Sequence, residues 1–394
     1  MSAQAISSSA LQQIEPLWFD KTLLIITFAL MAIGLIMVSS ASIPYADTEL
    51  YNYQPFHFVI RHGIYMTLAL VAGLITLSIR TEHWLKLGPY LLISGVMLLI
   101  LVLFIGREVN GSKRWLDLVL FTIQVSEPVK IFVVSYVAGY LVRQREELHT
   151  QILGFLRPLM VLSIVTGCLM LEPDFGASVV IVLTCLAMMF LAGAQLWKFI
   201  ALSVTVSGIL IFIAKTQTYR MERLQSFLDP WQDPYGTGYQ LTQSLIAFGR
   251  GELWGLGLGN SIQKLAYLPE AHTDFVFAVL AEEMGFVGVI IVLFLYGFLL
   301  TKIMNIGRSA INVGNYFAGY MSWGLGITMT LQAVINIGVS SGVLPTKGLT
   351  LPLISYGGSS LIINCIAIAI ILRVDYETRI KLYLDQGKIP GVAI

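Results

Sequence analysis

Long apolar runs separated by short polar segments extend from residue 21 to residue 373. Most runs cover roughly 17–25 residues, the length that an α-helix needs to cross a ~30 Å hydrocarbon core. Ten runs can be counted, at residues 21–42, 60–79, 84–105, 127–143, 156–171, 176–194, 196–214, 274–301, 313–340 and 352–373. The pattern predicts an all-α polytopic membrane protein with about ten transmembrane helices.

The composition agrees with a membrane location. The chain is 56% hydrophobic and 12% charged, whereas soluble domains carry about 25% charged residues. The first twenty residues lack a basic n-region and a small-residue cleavage site, so the first run is predicted to be a retained helix. A net charge of +1 gives no reason to expect nucleic acid as a partner. The three cysteines fall inside predicted spans, where we expect no disulfide, metal or redox role.

The positions of Lys and Arg set the orientation of the helices, because cytoplasmic segments are enriched in these residues. Ten spans place both termini on one side of the membrane. If that side is cytoplasmic, thirteen Lys and Arg residues lie inside and six lie in the short outside segments. Both termini are therefore predicted to be cytoplasmic.

No Ser-, Pro- or charge-rich linker divides the chain, which indicates one membrane domain. We expect a cytoplasmic N-terminal tail at residues 1–20, a membrane domain at 21–373 and a cytoplasmic C-terminal tail at 374–394. Residues 215–273 are predicted to form one large extracytoplasmic loop between the seventh and eighth transmembrane helices. A loop of this length is usually functional. Its YQLTQSLIAFG stretch predicts a short amphipathic helix.

The remaining polar clusters lie almost entirely on the predicted outer side, which indicates a polar cavity open to that side. The prolines and paired glycines of the last cluster would interrupt a membrane helix, and this is tolerable only where the backbone lines a cavity or packs on protein. The clusters read NGSKRW (110–115), SEPVK (126–130), EPDFG (172–176), LPEAHTDF (268–275) and LPTKGLTLPLISYGGSS (344–360).

Acidic and basic residues inside or beside the spans are candidates for function, because ionisable groups are costly in a bilayer. A structural ion pair explains several of them equally well: Glu127, Lys130, Glu172, Glu282 and Glu283. Asp274 differs, since it combines a helix N-terminus, an adjacent histidine and a position at the membrane boundary. We therefore favour a functional role for Asp274.

Taken together, these motifs resemble the SEDS family (shape, elongation, division and sporulation), and the similarity runs from the first span to the tenth. Within that family, EPDFG and PTKGLTLPLISYGGSS are more similar to the cell-division member than to the elongation member. The resemblance implies a peptidoglycan glycosyltransferase that polymerises lipid II, a disaccharide-pentapeptide on undecaprenyl pyrophosphate, at the outer face of the bacterial cytoplasmic membrane. It also implies a position at the division septum.

The resemblance further implies roles for individual residues. Asp274 matches the essential aspartate of the family and is expected to be the general base. Arg114 and Lys130 would neutralise the leaving pyrophosphate, helped by a divalent cation such as Mg or Mn, with no organic cofactor. Lys113 replaces a usual arginine. The remaining substrate-binding candidates, which would shape the cavity and its opposite wall, are Trp115, Glu127, Glu172, Asp174, His272, Glu282, Lys347, Ser355 and Tyr356.

The family resemblance also implies partner proteins, and two other functions fit the same sequence features. The resemblance implies a class B penicillin-binding transpeptidase with a single membrane anchor, together with other divisome membrane proteins. A lipid II flippase is the first rival, because a bundle with intramembrane acids also suits transport. A scaffold that only recruits a partner is the second. A transporter should present polar groups to both leaflets, whereas the inner loops here are short and basic, which favours chemistry at one face.

Overall fold

The computed structural model describes residues 19–47, 54–109, 112–117, 122–204, 227, 229–236, 238–265, 267–345 and 348–385. Helices dominate this part of the chain, and residues 196–204 are also helical. The helices are α1 (Lys21–Ala46), α2 (His57–Leu77), α3 (Thr81–Ile105), α4 (Ser126–Arg143), α5 (Arg145–Thr150), α6 (Ile152–Leu171), α7 (Phe175–Leu191), α8 (Tyr239–Gly251), α9 (Val276–Asn312), α10 (Tyr316–Ser340) and α11 (Gly358–Asp385).

The predicted polytopic helical fold is confirmed. Seven of the described helices are long and apolar enough to cross a membrane. Of the other predicted spans, α7 has only 17 residues and α4 carries three charged residues. The seventh run is described only at 196–204. The last span begins at Gly358, so the prolines and glycines before it do interrupt the helix, and α11 continues to Asp385.

Short polar side chains fix where several helices begin. Asp20 accepts the backbone N–H of Leu23 at 2.9 Å before α1, and Asn315 caps α10 in the same way. These side chains satisfy N–H groups that lack a partner within the helix. Asp20 also forms ion pairs with Lys302 and Arg379, so α1, α9 and α11 are joined at the side predicted to be cytoplasmic.

A small antiparallel sheet connects α3 to α4 and was not predicted. Its strands are β1 (Arg107–Val109), β2 (Ser112–Asp117) and β3 (Thr122–Gln124), in the order β1-β2-β3. Trp115 on β2 pairs with Gln124 on β3. The sheet places Ser112–Trp115, the described part of the NGSKRW motif, on β2 at the predicted outer end of the bundle.

Helix α9 is interrupted at Gly285, where φ is +65° and ψ is −166°. The segment after α8 pairs with the backbone groups that the interruption frees. Glu252 and Leu253 accept the N–H groups of Phe286 and Val287, at 2.9 and 3.2 Å. Leu256 and Gly257 in turn donate to the carbonyls of the two glutamates before the break, each at 3.0 Å. The chain of residues 252–257 therefore replaces the missing hydrogen bonds of α9.

Helix α10 occupies a central position and contacts α4, α7, α9 and α11. The predicted amphipathic helix is confirmed as α8, which packs on α9 and α10. Its Ser244 donates to the carbonyl of Ser340 at 2.6 Å. The large loop is thus joined to the ends of the central helices, next to the candidate site.

Candidate functional site

Asp274 lies in a tight turn immediately before α9. The carbonyl of Glu270 accepts the backbone N–H groups of Thr273, Asp274 and Phe275 at 3.1, 3.1 and 3.2 Å. Glu270 adopts a left-handed φ of +55°, which is uncommon for a residue with a side chain. The turn fixes the backbone of Asp274 while α9 begins only two residues later.

The carboxylate of Asp274 is half-buried. Among the residues that the structure describes, it accepts no hydrogen bond and forms no ion pair. A Cβ atom at Gly348 would lie 2.5 Å from its Oδ2 atom, so the backbone of Gly348 closes one side. Burial and the nearby charge of Glu270 raise the pKa of Asp274 to about 7, against the opposing effect of Arg114. A carboxylate in this environment is poised to take up a proton near neutral pH.

Arg114 connects the β2 strand to the EPDFG loop. Its Nε donates to the carbonyl of Glu172 at 2.9 Å, and its Nη2 donates to the carbonyl of Pro173 at 2.6 Å. Its charge lowers the pKa of both Glu172 and Asp274. Among the described residues, Arg114 is thus the cation whose charge acts on both acids.

The two acids of the EPDFG loop have different environments. Asp174 caps α7 through the N–H of Ala177 at 3.2 Å and accepts from Gln124 Nε2 at 3.3 Å. The carboxyl oxygens of Glu172 are buried without a hydrogen-bond partner among the described residues. Burial and the charge of Asp174 raise the pKa of Glu172 to about 8. Glu172 is therefore mostly protonated at neutral pH, whereas Asp174 stabilises the start of α7.

His272 belongs to an aromatic cluster beside Asp274. Its ring lies 4.6 Å from Phe58, 5.4 Å from Tyr45 and 5.6 Å from Tyr356, measured between centroids. Its carbonyl accepts the N–H of Tyr356 at 3.0 Å. Burial lowers the pKa of His272, which keeps its imidazole neutral. The cluster joins the beginning of α2 and the 344–360 motif to the turn of Asp274.

Glu127 and Lys130 form an ion pair inside the bundle. The Nζ atom of Lys130 lies 2.9 Å from the carboxylate of Glu127 and donates to Gln332 Oε1 at 2.6 Å. Both charged side chains are almost fully buried. They line a small cavity between α4, α10 and α11, together with Thr328 and Asn364. The contacts of Lys130 are thus internal, and a role at the pyrophosphate would act through the core.

Glu282 and its neighbour Glu283 hold the segment that follows α8. Glu282 pairs with Arg250 at 3.0 Å and accepts from Ser261 Oγ at 2.5 Å. Glu283 pairs with Lys264 at 2.7 Å. The structure thus directs Glu282 to the large loop, and none of its recorded contacts is with Asp274 or Arg114.

Three further predicted residues differ in their surroundings. Ser355 accepts the N–H of Leu351 at 2.8 Å and closes the turn before α11. Trp115 is half-buried on β2 and pairs with Arg107 of β1, next to the register shift that leaves Arg114 unpaired in the β1–β2 ladder. Lys347 lies outside the described residues.

Asn336 on α10 was not singled out from the sequence. Its Nδ2 atom donates to the carbonyl of Asp274 at 2.8 Å and to the carbonyl of Leu349 at 2.5 Å. A signal was present, because Gln332 and Asn336 are amides four residues apart in an apolar run and therefore share one helix face. Polar residues of this kind join helices inside membranes.

The residues around Asp274 bear on the predicted divalent cation. Among the described residues, no three His, Cys, Asp or Glu side chains converge on one point. Mg²⁺ is often held by only one or two carboxylates together with substrate phosphates, and Asp274 with Glu270 could provide these. The divalent cation stays a prediction.

The chain is similar to known proteins over most of its length. The sequence is 52% identical over 362 residues to "Probable peptidoglycan glycosyltransferase FtsW" of Coxiella burnetii, covering 91% of this chain and 97% of that protein. It is 49% identical over 364 residues to the protein of the same name from Escherichia coli O6:H1, covering 92% and 87%.

Solved structures show the same similarity. One solved structure is described as "Structural coordination of polymerization and crosslinking by a peptidoglycan synthase complex". A chain in it matches with a TM-score of 0.75 and 27% identity, covering 91% of this chain and 98% of that one. The rod shape determining protein RodA of Thermus thermophilus matches with a TM-score of 0.66 and 25% identity, covering 91% and 96%. A family model described as "Cell cycle protein" matches residues 21–380. The predicted family is confirmed, and this chain belongs to the FtsW, RodA and SpoVE family of cell cycle proteins.

Proposed function

We propose that this protein is a peptidoglycan glycosyltransferase that polymerises lipid II into glycan strands during septal cell division, with Asp274 as the general base. The observation that carries this proposal is the carboxylate of Asp274, which has no hydrogen-bond or ion-pair partner among the described residues. Its pKa is raised to about 7. A base of this kind in a chain of this family fits proton removal at neutral pH.

The reaction joins two sugars and releases undecaprenyl pyrophosphate. The acceptor hydroxyl attacks the anomeric carbon of the donor, the bond from that carbon to the pyrophosphate oxygen breaks, and the hydroxyl proton passes to Asp274. Negative charge then develops on the leaving pyrophosphate. Arg114 keeps guanidinium N–H groups beyond the two that bind loop carbonyls, and its charge would stabilise that leaving group. A divalent cation would share this task when bound.

The partner and the membrane side follow from the same proposal. A solved structure similar to this chain is described as a peptidoglycan synthase complex that coordinates polymerisation and crosslinking. We infer that a class B penicillin-binding transpeptidase and other divisome membrane proteins bind this chain. The charge distribution supports an active site at the outer face of the cytoplasmic membrane.

The test is polymerisation of purified lipid II by the protein together with its transpeptidase partner. Asp274→Asn removes the basic carboxylate at nearly constant volume, and Asp274→Ala removes the side chain. We expect both to lower the rate by about 10²–10⁴-fold, the usual contribution of a general base. Asp117→Asn is the matched control, because Asp117 is a half-exposed carboxylate on β2.

A pH profile adds an independent measurement. The base must be ionised to act, so the wild-type rate should rise with pH through about 7 and level off above it. Full activity of both Asp274 variants, with normal folding and partner binding, would instead make Asp274 structural. Absence of polymerisation by the wild-type protein with its partner would favour a flippase or a scaffold.

A further inference from the structure

We propose that Asn336 is the positioning residue of the site, because its amide holds the backbone of Asp274 against the backbone of Leu349. This inference rests on the proposed function, since it concerns the orientation of the general base. Asn336 does not touch the carboxylate of Asp274 in any recorded contact, so its effect would be exerted through the backbone of Asp274.

The hydrogen bonds of Asn336 define this role. An amide nitrogen carries two hydrogens, and here two backbone carbonyls accept from it, those of Asp274 at 2.8 Å and Leu349 at 2.5 Å. These carbonyls belong to segments 75 residues apart in the sequence. One buried side chain thus connects the turn before α9 to the motif before α11.

Few other side chains can make this pair of contacts. Leucine has a similar volume but no donor, and an ionised aspartate has acceptors only. An ionised aspartate would also place a negative charge against two carbonyl oxygens. The Oδ1 atom of Asn336 is buried without a partner among the described residues, so the side chain retains the two donor contacts at the expense of its acceptor.

A second amide strengthens the connection. Gln332, one helical turn earlier on α10, donates from Nε2 to the carbonyl of Thr350 at 3.0 Å. Two amides on one face of α10 therefore fix consecutive residues of the motif. Gly348 precedes them, and its backbone closes the side of the Asp274 carboxylate. Loss of the Asn336 contacts should let Asp274 and Gly348 move apart.

The experiment compares Asn336→Leu and Asn336→Asp with wild type in lipid II polymerisation with the transpeptidase partner. Displacement of a reacting group by about 1 Å can lower a rate by about 100-fold, so we expect kcat to fall by about that factor with little change in KM. We also expect the acid limb of the pH profile to move below 7, because Asp274 loses part of its enclosure.

Two controls separate positioning from general stability. Thr184→Val replaces a buried hydroxyl that contacts Thr328 at 3.2 Å and should keep both kcat and the pH limb. Thermal unfolding and partner binding are measured for every variant. Asn336→Asp has nearly the native shape, so it tests the donor even if Asn336→Leu fails to fold.

The outcomes distinguish this inference from the proposed function. A wild-type kcat and pH limb in folded Asn336→Asp, alongside inactive Asp274→Asn, would overturn the positioning role and leave the proposed function intact. A reduced kcat with an unchanged pH limb and an equal loss in Thr184→Val would also overturn it. Full activity of Asp274→Asn would overturn Asp274 as the general base, and the positioning role of Asn336 with it.

Discussion

At the scale of single residues, the site depends on a position without a side chain. The Oδ2 atom of Asp274 lies where a Cβ atom at Gly348 would approach to 2.5 Å. A side chain at position 348 would force the carboxylate to shift, so glycine at this position lets the carboxylate keep its place. The carboxylate is therefore enclosed on this side by backbone and not by a side chain that could rotate away.

Gly348→Ala should consequently displace the carboxylate of Asp274. We expect polymerisation to fall by about 10–100-fold, the effect of a shift of roughly 1 Å, while the protein still folds and binds its partner. Gly249→Ala is the matched control, because a Cβ atom there meets nothing within 4 Å. Equal activity of both variants, measured with lipid II, would contradict a tight fit around Asp274.

Local sequence motifs predicted some of the site residues and missed others. Motifs from separate loops indicated that Arg114, Glu172, Asp174, His272 and Asp274 serve one site, and the structure brings these residues together. For Lys130 two alternatives were open, a role at the pyrophosphate and a structural ion pair, and the structure shows the pair with Glu127 in the core. Asn336 was missed since its acceptors are backbone groups of two distant segments.

At the scale of elements, α9 shows how a membrane helix can be interrupted safely. The freed backbone groups at Gly285 bond to residues 252–257, and the Lys264–Glu283 ion pair joins the chain that follows this segment to α9. The pair is buried, whereas the Lys86–Glu82 pair on α3 has side chains that are 70% and 60% exposed. These two pairs should therefore contribute very differently to stability.

Lys264→Met should leave the charge of Glu283 buried without its cation. We expect a loss of about 3–5 kcal/mol in the free energy of unfolding, and adding Glu283→Gln should recover most of it. Lys86→Ala, the exposed counterpart, should change stability by less than about 1 kcal/mol. Thermal or denaturant unfolding in detergent measures both, and similar losses in the two single variants would show that the buried pair has no special role.

At the scale of the whole molecule, hydropathy was sufficient to predict the helices but not every connection. Nine of the ten apolar runs coincide with described helices, because a span must be apolar over a length fixed by the bilayer. The sheet was missed because its strands have three to six residues, too few for a clear alternating pattern. Helix α9 also exceeds its apolar run at its C-terminal end, because it continues through residues 302–312, which include Lys302 and Arg308, to Asn312.

The predicted orientation places the large loop outside the cytoplasmic membrane. Tyr235, in the large loop, is 90% exposed, and Glu82 is exposed at the opposite, cytoplasmic end of the bundle as the charges predict. In intact spheroplasts, a membrane-impermeant maleimide should label Tyr235→Cys and should label Glu82→Cys only after permeabilisation. The natural cysteines lie within helices, so their background is low. The reverse pattern would invert the topology and place Asp274 inside the cell.

The interruption of α9 also bears on biogenesis. Residues 252–257 are synthesised before α9 and belong to the loop that must be translocated, yet they supply the hydrogen-bond partners that the helix needs at Gly285. Unpaired backbone groups in lipid cost several kcal/mol each. The eighth apolar run therefore reaches its final state only once residues 252–257 have crossed the membrane and packed against it. Export of the loop and completion of the helix are therefore coupled steps in the biogenesis of the protein.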